Sequence, residues 1–69
     1  MNDNVPSMVK ENLCSMAAER ARLGITVDEL RELSGVRKEI IEAYEAGKGT
    51  PTKSKYNKLA FIFGWEAWQ

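Results

Sequence analysis

Apolar side chains in the first third of the chain recur every three or four residues, the spacing of one face of an α-helix. The positions on this face, together with one arginine, are Val9, Leu13, Met16, Ala17, Arg20 and Leu23. Ser7 can cap the start of such a helix, and Gly24 can end it by adopting a left-handed conformation. The pattern therefore predicts one helix from about Ser7 to Leu23.

The next start signal is a capping box at Thr26 and Glu29. In this motif the N-cap hydroxyl and the carboxylate three residues later each accept a hydrogen bond from the other residue's backbone N–H. Ile25 and Leu30 flank the box and are placed to pack against each other as a hydrophobic staple. A short second helix, about Val27 to Ser34, is expected.

Glycines and a threonine divide the rest of the chain. Gly35 separates the second helix from a third, about Lys38 to Ala46, and Thr52 can cap a fourth that ends at Phe63. Two short helices joined by a tight turn with glycine are typical of a helix-turn-helix. Since no segment alternates with period two, the predicted fold class is all-α, a compact bundle of four to five helices.

The expected core follows from these helices. The seam between the second and third helices would bury Leu30, Leu33, Val36, Ile41 and Tyr44. The opposite side would be closed by Leu59, Ile62, Phe63 and Trp65. The 69 residues are predicted to form one domain, residues 1–69, because typical domains are larger than this.

Composition narrows the chemistry. The chain has no histidine and a single cysteine, Cys14, so an internal disulfide is impossible and the usual general base and metal ligand are missing. Cys14 is expected to pack as a small side chain inside its helix. We therefore predict neither an enzyme nor a metal or cofactor site. A lone cysteine favours a reducing cytoplasm, and neither a signal peptide nor a membrane span is predicted.

The formal net charge is zero, but the charges are unevenly distributed. Residues 48–58 contain four lysines and no acid, whereas residues 1–36 contain six acids and four bases. A neutral chain is not typical of a strong non-specific nucleic-acid binder, which usually has a basic excess. The lysine-rich segment is the better candidate for contact with phosphates.

From Arg20 to Trp65 the chain resembles the Cro/repressor family of helix-turn-helix regulators, which is common in phages and bacteria. The resemblance covers about two-thirds of the chain and rests on ELRELSGV followed by YEAGKGTP. The individual matches are Leu23-Gly24-Ile25-Thr26, Glu29-Leu30, Leu33-Ser34-Gly35-Val36, Ile41, Glu45, Gly47-Lys48, Pro51, Leu59 and Phe63-Gly64. It implies a five-helix bundle in which the second and third predicted helices form the DNA-binding unit.

The resemblance also implies a set of contacts with double-stranded DNA. The third helix would enter the major groove and contact base edges through Arg37, Lys38, Glu39, Glu42 and Ala43. Phosphates would be met by Thr26, Val27, Lys48, Lys53 and Lys55. Arg20 and Glu45 match positions that form an internal ion pair in several family members. The implied protein is a transcriptional regulator at an operator in the bacterial nucleoid.

A homodimer is expected, because two modules on a roughly palindromic operator bind more tightly than one. Its interface, or the surface for another partner, is expected among Phe61, Trp65 and Trp68.

Departures from the family pattern favour a second function. Arg31 takes the place of a small alanine, Val27 that of a polar residue, and the third helix carries three glutamates. These features suit a helix-turn-helix that binds protein, such as an antirepressor that captures a partner repressor. An antitoxin-like role is a third alternative.

Overall fold

Five helices and their connections make up residues 5–69, the part of the chain that the computed structural model describes. The helices are α1 (Ser7–Cys14), α2 (Met16–Leu23), α3 (Val27–Ser34), α4 (Lys38–Glu45) and α5 (Lys53–Phe63). Residues 5–69 contain no strand, so the predicted all-α class is confirmed. The Cα radius of gyration of 11.0 Å is that of a compact chain of this length. None of these helices is long and apolar enough to cross a membrane.

The predicted first helix is interrupted at Ser15 and forms two helices. Ser15 has φ −95° and ψ 3°, and its hydroxyl donates a hydrogen bond to the carbonyl of Asn12 at 3.0 Å. Serine side chains compete in this way with the helical hydrogen-bond ladder. The apolar spacing carries through the break, which is why the pattern alone predicts one continuous helix.

The capping box at the start of α3 is present. The Thr26 hydroxyl accepts a hydrogen bond from the Glu29 N–H at 3.1 Å, and a Glu29 carboxylate oxygen accepts one from the Thr26 N–H at 2.7 Å. The bounds of α3 match the prediction, and Gly35 ends the helix with φ 74°, a left-handed conformation that favours glycine. Local chemistry therefore fixes both ends of this helix.

The predicted fourth helix is α5. The Thr52 hydroxyl accepts a hydrogen bond from the Lys55 N–H at 3.3 Å, and Gly64 ends the helix with φ 75°. The preceding helix, α4, is one residue shorter than predicted and ends at Glu45.

The core lies where α1, α3, α4 and α5 meet, with the first residue of α2 also buried there. Its buried members are Val9, Leu13, Met16, Leu30, Val36, Ile41, Tyr44, Tyr56, Leu59 and Ala60. Partly buried side chains around it include Ile62, Phe63 and Trp65, which were expected to be core. Each buried aliphatic side chain contributes about 1.5–3 kcal/mol relative to exposure.

Leu33 and Cys14, which were expected to be buried, are exposed, as are Ala17 and Leu23 of the predicted apolar face. Leu33 is 63% exposed, because α3 turns Leu30 and the small Ser34 inward instead. Cys14 is also exposed and is not packed inside its helix. Ala17 and Leu23 lie on the solvent side of α2, whose buried residue is Met16.

The C-terminal residues 65–69 fold back over α5 without forming a helix. The side-chain amide of Asn57 brackets Trp68, accepting from its N–H at 2.8 Å and donating to its carbonyl at 2.9 Å. The ring of Trp65 stacks on Tyr56 with a centroid separation of 5.8 Å, and Trp68 meets Tyr56 edge-on at 6.3 Å. The tail is thus part of the folded structure.

Raising the pH above about 10 is expected to destabilise the fold through Tyr44. Burial raises the pKa of its phenol, and the backbone amide of Thr52 lowers it by a smaller amount. An unfolded tyrosine loses its proton near pH 10, about where model peptides do. The folded state still holds that proton, so stability is lost as the pH rises from about 10 through the folded pKa.

The check is the urea midpoint as a function of pH. Between about pH 9 and 11, the midpoint should fall more steeply for the natural protein than for Tyr44→Phe, which keeps the ring but cannot ionise. Equal slopes would show that Tyr44 contributes nothing to alkaline unfolding.

Candidate nucleic-acid interface

The connection between α3 and α4 consists of Gly35, Val36 and Arg37. Gly35 takes the left-handed conformation, and Val36 inserts its side chain into the core. The N–H of Val36 donates a hydrogen bond at 3.0 Å to the hydroxyl of Ser34, which is itself buried. The two helices pack against each other, and the turn between them is held by one apolar anchor and one internal hydrogen bond.

Ser34 is a structural residue that sequence reasoning missed. Its hydroxyl satisfies a backbone donor that would otherwise be buried without a partner. The only signal in the sequence is a small polar residue directly before the glycine, and that pattern is too common to predict the contact.

Four of the five predicted base-contacting residues are exposed on one short stretch. Arg37 precedes the first turn of α4 in an extended conformation, and Lys38 and Glu39 follow it. Glu42 is exposed one turn later, whereas Ala43 is half-buried. The N-terminal turn of α4 therefore offers its charged side chains to a ligand, with Ala43 partly covered beside them.

The ammonium group of Lys38 lies 3.5 Å from a carboxylate oxygen of Asp28, near the start of α3. Both side chains are largely exposed, so this ion pair adds little to stability. It does link the first turns of the two helices, and it places an acid beside a residue predicted to contact bases.

The start of α3 differs from the prediction for phosphate binding. The N–H of Thr26 already donates to the Glu29 carboxylate, so it is not free for a phosphate oxygen. The same carboxylate places negative charge at the helix N-terminus, where it repels a second anion. Val27 is half-buried and its side chain packs against the core.

The predicted phosphate-binding lysines do not form one cluster. Lys48 is exposed in the connection after α4, where its N–H donates to the carbonyl of Ala43 at 2.7 Å. Lys55 is half-buried in a recess that it shares with Glu39 and Ala43. Lys53 points elsewhere: its ammonium group lies over the Trp68 ring, 5.9 Å from the centroid. Lys48 and Lys55 are thus the lysines beside α4.

Arg20 and Glu45 form the ion pair that the resemblance implies. Two guanidinium nitrogens reach the two carboxylate oxygens at 2.7 and 3.2 Å, and a third donates to the carbonyl of Ile25 at 3.2 Å. The side chains are 18% and 13% exposed. The hydrogen bond and charge of Glu45 raise the pKa of Arg20, and burial opposes this. The pair joins α2, the connection to α3, and the last turn of α4.

The surface of α3 and α4 carries more negative than positive charge. Between residues 26 and 45 there are six acids and three bases. The acids are Asp28, Glu29, Glu32, Glu39, Glu42 and Glu45, and the bases are Arg31, Arg37 and Lys38. Arg20 neutralises Glu45, and Arg31 is exposed and paired with the adjacent Glu32 at 2.7 Å. Arg31 therefore does not enter the seam between the helices.

The predicted partner patch is only partly exposed. Phe61 is 90% exposed, whereas Trp65 and Trp68 are half-buried against Tyr56. Within residues 5–69, Phe61 takes part in none of the aromatic contacts that hold the tail. Phe61 therefore faces solvent, whereas the two tryptophans pack within their own chain.

No group of three or more potential metal ligands occurs in the part of the chain that the structure describes. Comparison with protein-family models, curated proteins and solved structures yields no match for this chain.

Proposed function

We propose that the protein is a sequence-specific DNA-binding regulator of transcription, not an enzyme, and that it acts as a homodimer at a roughly palindromic operator. The observation that carries the proposal is the exposed N-terminal turn of α4, where Arg37 and Lys38 follow a rigid turn. Arginine and lysine side chains at such a place reach guanine edges in the major groove. The resemblance to phage and bacterial repressors supports the same conclusion, with the bacterial nucleoid as the site of action.

The lysines beside α4 supply the second part of the argument. Phosphate contacts orient a protein on DNA without reading its sequence. Lys55 shares a recess with Glu39 of α4, and Lys48 follows the C-terminal end of the same helix. We expect both lysines to meet phosphates when Arg37 and Lys38 contact bases. We expect Lys53 to contribute less, because it lies over Trp68.

Binding to duplex DNA from the protein's own locus should fall steeply with salt. With about four phosphate contacts per monomer, the affinity for each half-site should drop roughly a hundredfold between about 50 and 200 mM salt, and the drop for the dimer should be larger. Lys48→Ala and Lys55→Ala should weaken binding to all sequences and flatten the salt dependence. Lys38→Ala should instead relax the preference for one sequence. Fluorescence anisotropy with specific and scrambled duplexes measures both effects.

Arg22→Ala is the matched control, since Arg22 is an exposed base on α2 that pairs with Glu19. It should leave DNA affinity unchanged. The proposal fails if the natural protein shows no salt-dependent binding at micromolar concentration, or if Arg22→Ala weakens binding as much as Lys48→Ala.

The acidic excess of α3 and α4 favours a second candidate, capture of a partner repressor by a protein-binding surface. Glu39 and Glu42 are exposed, and neither forms an ion pair within residues 5–69. Unpaired acids beside a phosphate backbone oppose DNA binding, whereas they attract a basic protein surface.

Glu42→Gln separates the two candidates. Removing one negative charge should tighten DNA binding roughly twofold to fivefold at low salt, because a repulsion disappears. If α4 binds a repressor instead, the same substitution should weaken that complex. Parallel titrations with duplex DNA and with a repressor encoded at the same locus decide between them.

A further inference from the structure

A shallow groove runs between α3 and α5. Its apolar borders are Leu33 on α3 and Phe61 on α5, and Ser34 and Ile62 form part of its lining. Only three large apolar side chains are strongly exposed within residues 5–69, and two of them border this groove. The third, Leu23, lies at the end of α2.

The exposure of this pair is unusual for so small a protein. Phe61 leaves 90% of its surface in water, although the half-turn of α5 before it, Leu59 and Ala60, is buried. Isolated exposed apolar residues need no explanation, but adjacent ones beside a recess mark an interaction surface. Binding of a partner over these side chains would remove their apolar surface from water, which favours the complex.

We propose that the groove is the contact surface between two copies of this chain, related by a two-fold axis. A two-fold interface uses the same patch on both subunits, so the patch must be complementary to itself. This surface meets the requirement, since it presents both a projecting ring, Phe61, and a recess beside it. The ring of each copy fits the recess of the other.

Charges at the groove support the same occupant. Lys58 lies at the α5 side, one turn before Phe61, and Glu29 lies one turn before Leu33 on α3, whereas Glu32 is already paired with Arg31. In a two-fold arrangement, we expect Lys58 of one copy to lie towards Glu29 of the other. The zero net charge of the chain adds no long-range repulsion between copies.

The inference replaces the expected patch of Phe61, Trp65 and Trp68 by Phe61 and Leu33. The two tryptophans already pack on Tyr56 within their own chain. The inference rests on the dimeric form of the proposed regulator, but its test requires no DNA. Because the groove is shallow, we expect a reversible dimer with a dissociation constant on the order of 10 μM.

Sedimentation equilibrium over roughly 1 to 500 μM protein tests the proposal, a range that brackets the expected constant. The natural chain should shift from monomer to dimer. Phe61→Ser should raise the dissociation constant at least about tenfold, because truncating a central aromatic anchor removes most of the contact. Lys58→Glu should also weaken the dimer, and added salt should reduce the difference between Lys58→Glu and the natural chain.

Two controls match these changes in chemistry. Leu23→Ser removes an exposed apolar side chain at the end of α2, and Lys10→Glu reverses an exposed charge on α1. Neither should alter the dissociation constant. Far-ultraviolet circular dichroism should give the same helix content for all four variants, since every substituted side chain is exposed.

The proposal is overturned if the chain stays monomeric at the highest concentration, or if Phe61→Ser dimerises like the natural chain. In either case the groove belongs to another partner or to none. If the chain binds DNA with the expected salt dependence but forms no Phe61-dependent dimer, only this inference is refuted. If the chain dimerises through Phe61 but does not bind DNA, only the proposed function is refuted.

Discussion

Replacing Tyr56 with alanine is expected to remove about 3–5 kcal/mol from the free energy of unfolding, the range seen for large aromatic truncations in cores. Tyr56 is the largest fully buried side chain of the described residues. A chain of 69 residues has a total stability of only roughly 3–10 kcal/mol. Tyr56→Ala should therefore lose a large share of the free energy of unfolding, measured by urea denaturation followed by circular dichroism.

Tyr56→Phe isolates the contribution of the hydroxyl group. That hydroxyl accepts a hydrogen bond from the Asn12 side chain at 2.9 Å and donates one to the carbonyl of Glu66 at 3.0 Å. It therefore links α1 and the tail to α5. Removing it leaves two polar groups without their partner, which costs about 1–3 kcal/mol.

Two spectroscopic signals separate local from global effects of Tyr56→Phe. The only tryptophans, Trp65 and Trp68, both contact Tyr56, so their fluorescence reports on the tail. Circular dichroism reports on all five helices. We expect the fluorescence transition in urea to precede the dichroism transition in Tyr56→Phe and to coincide with it in the natural protein.

Phe61→Ala is the control, an aromatic on the same helix that is almost fully exposed. At low micromolar concentration, it should change the free energy of unfolding by less than about 0.5 kcal/mol. If Phe61→Ala proves as destabilising as Tyr56→Ala, the assignment of Tyr56 to the centre of the core is wrong.

Removing one member of the Arg20–Glu45 ion pair should cost about 2–3 kcal/mol, somewhat less than the 3–5 kcal/mol of a fully buried pair. The discount reflects the remaining exposure of 18% and 13%, which lets water screen the charge left behind. Arg20→Lys should recover little of the loss, because an ammonium group cannot make the bidentate contact or reach Ile25 as well.

A double-mutant cycle of Arg20→Ala, Glu45→Ala and the double variant measures the coupling by urea denaturation. The double variant should be less destabilised than the sum of the single variants, because neither charge is left unpaired. Arg22→Ala and Glu19→Ala give a matched cycle for an exposed pair, with a coupling below about 1 kcal/mol. Equal coupling in both cycles would contradict the structural role of Arg20 and Glu45.

Local sequence signals predicted the helices where one side-chain contact decides a boundary. The capping box of Thr26 and Glu29 and the left-handed Gly35 fix α3 without help from the rest of the chain. The hydroxyl of Thr52 does the same for the start of α5. These signals act over three or four residues, so they are visible in the sequence.

The sequence predicts less well which side of a helix faces the core. Leu30 and Leu33 have equally apolar side chains, but α3 buries Leu30 and Ser34 and leaves Leu33 exposed. The sequence predicts the packing of Trp65 but not the path of the rest of the tail, because the hydrogen bonds between Asn57 and Trp68 join residues eleven positions apart. Such contacts are settled by tertiary packing, which local periodicity does not contain.

In the candidate site, too, the sequence predicts the features that depend on neighbouring residues. The resemblance implies that Arg37 and Lys38 contact bases, and the structure shows that both are exposed at the start of α4. The occupied N–H of Thr26 follows from the capping box itself, since the motif that starts α3 also uses its first donor. A phosphate at that position has to displace Glu29.

The bidentate contact between Arg20 and Glu45 has a consequence for the speed of association. It holds the last turn of α4 to α2, while Val36 and Ile41 hold the other end in the core. A partner that meets α4 therefore encounters a surface that needs no folding step. We expect association rate constants of at least about 10⁵ M⁻¹s⁻¹, limited by orientation, so affinity differences among variants will arise mainly from dissociation.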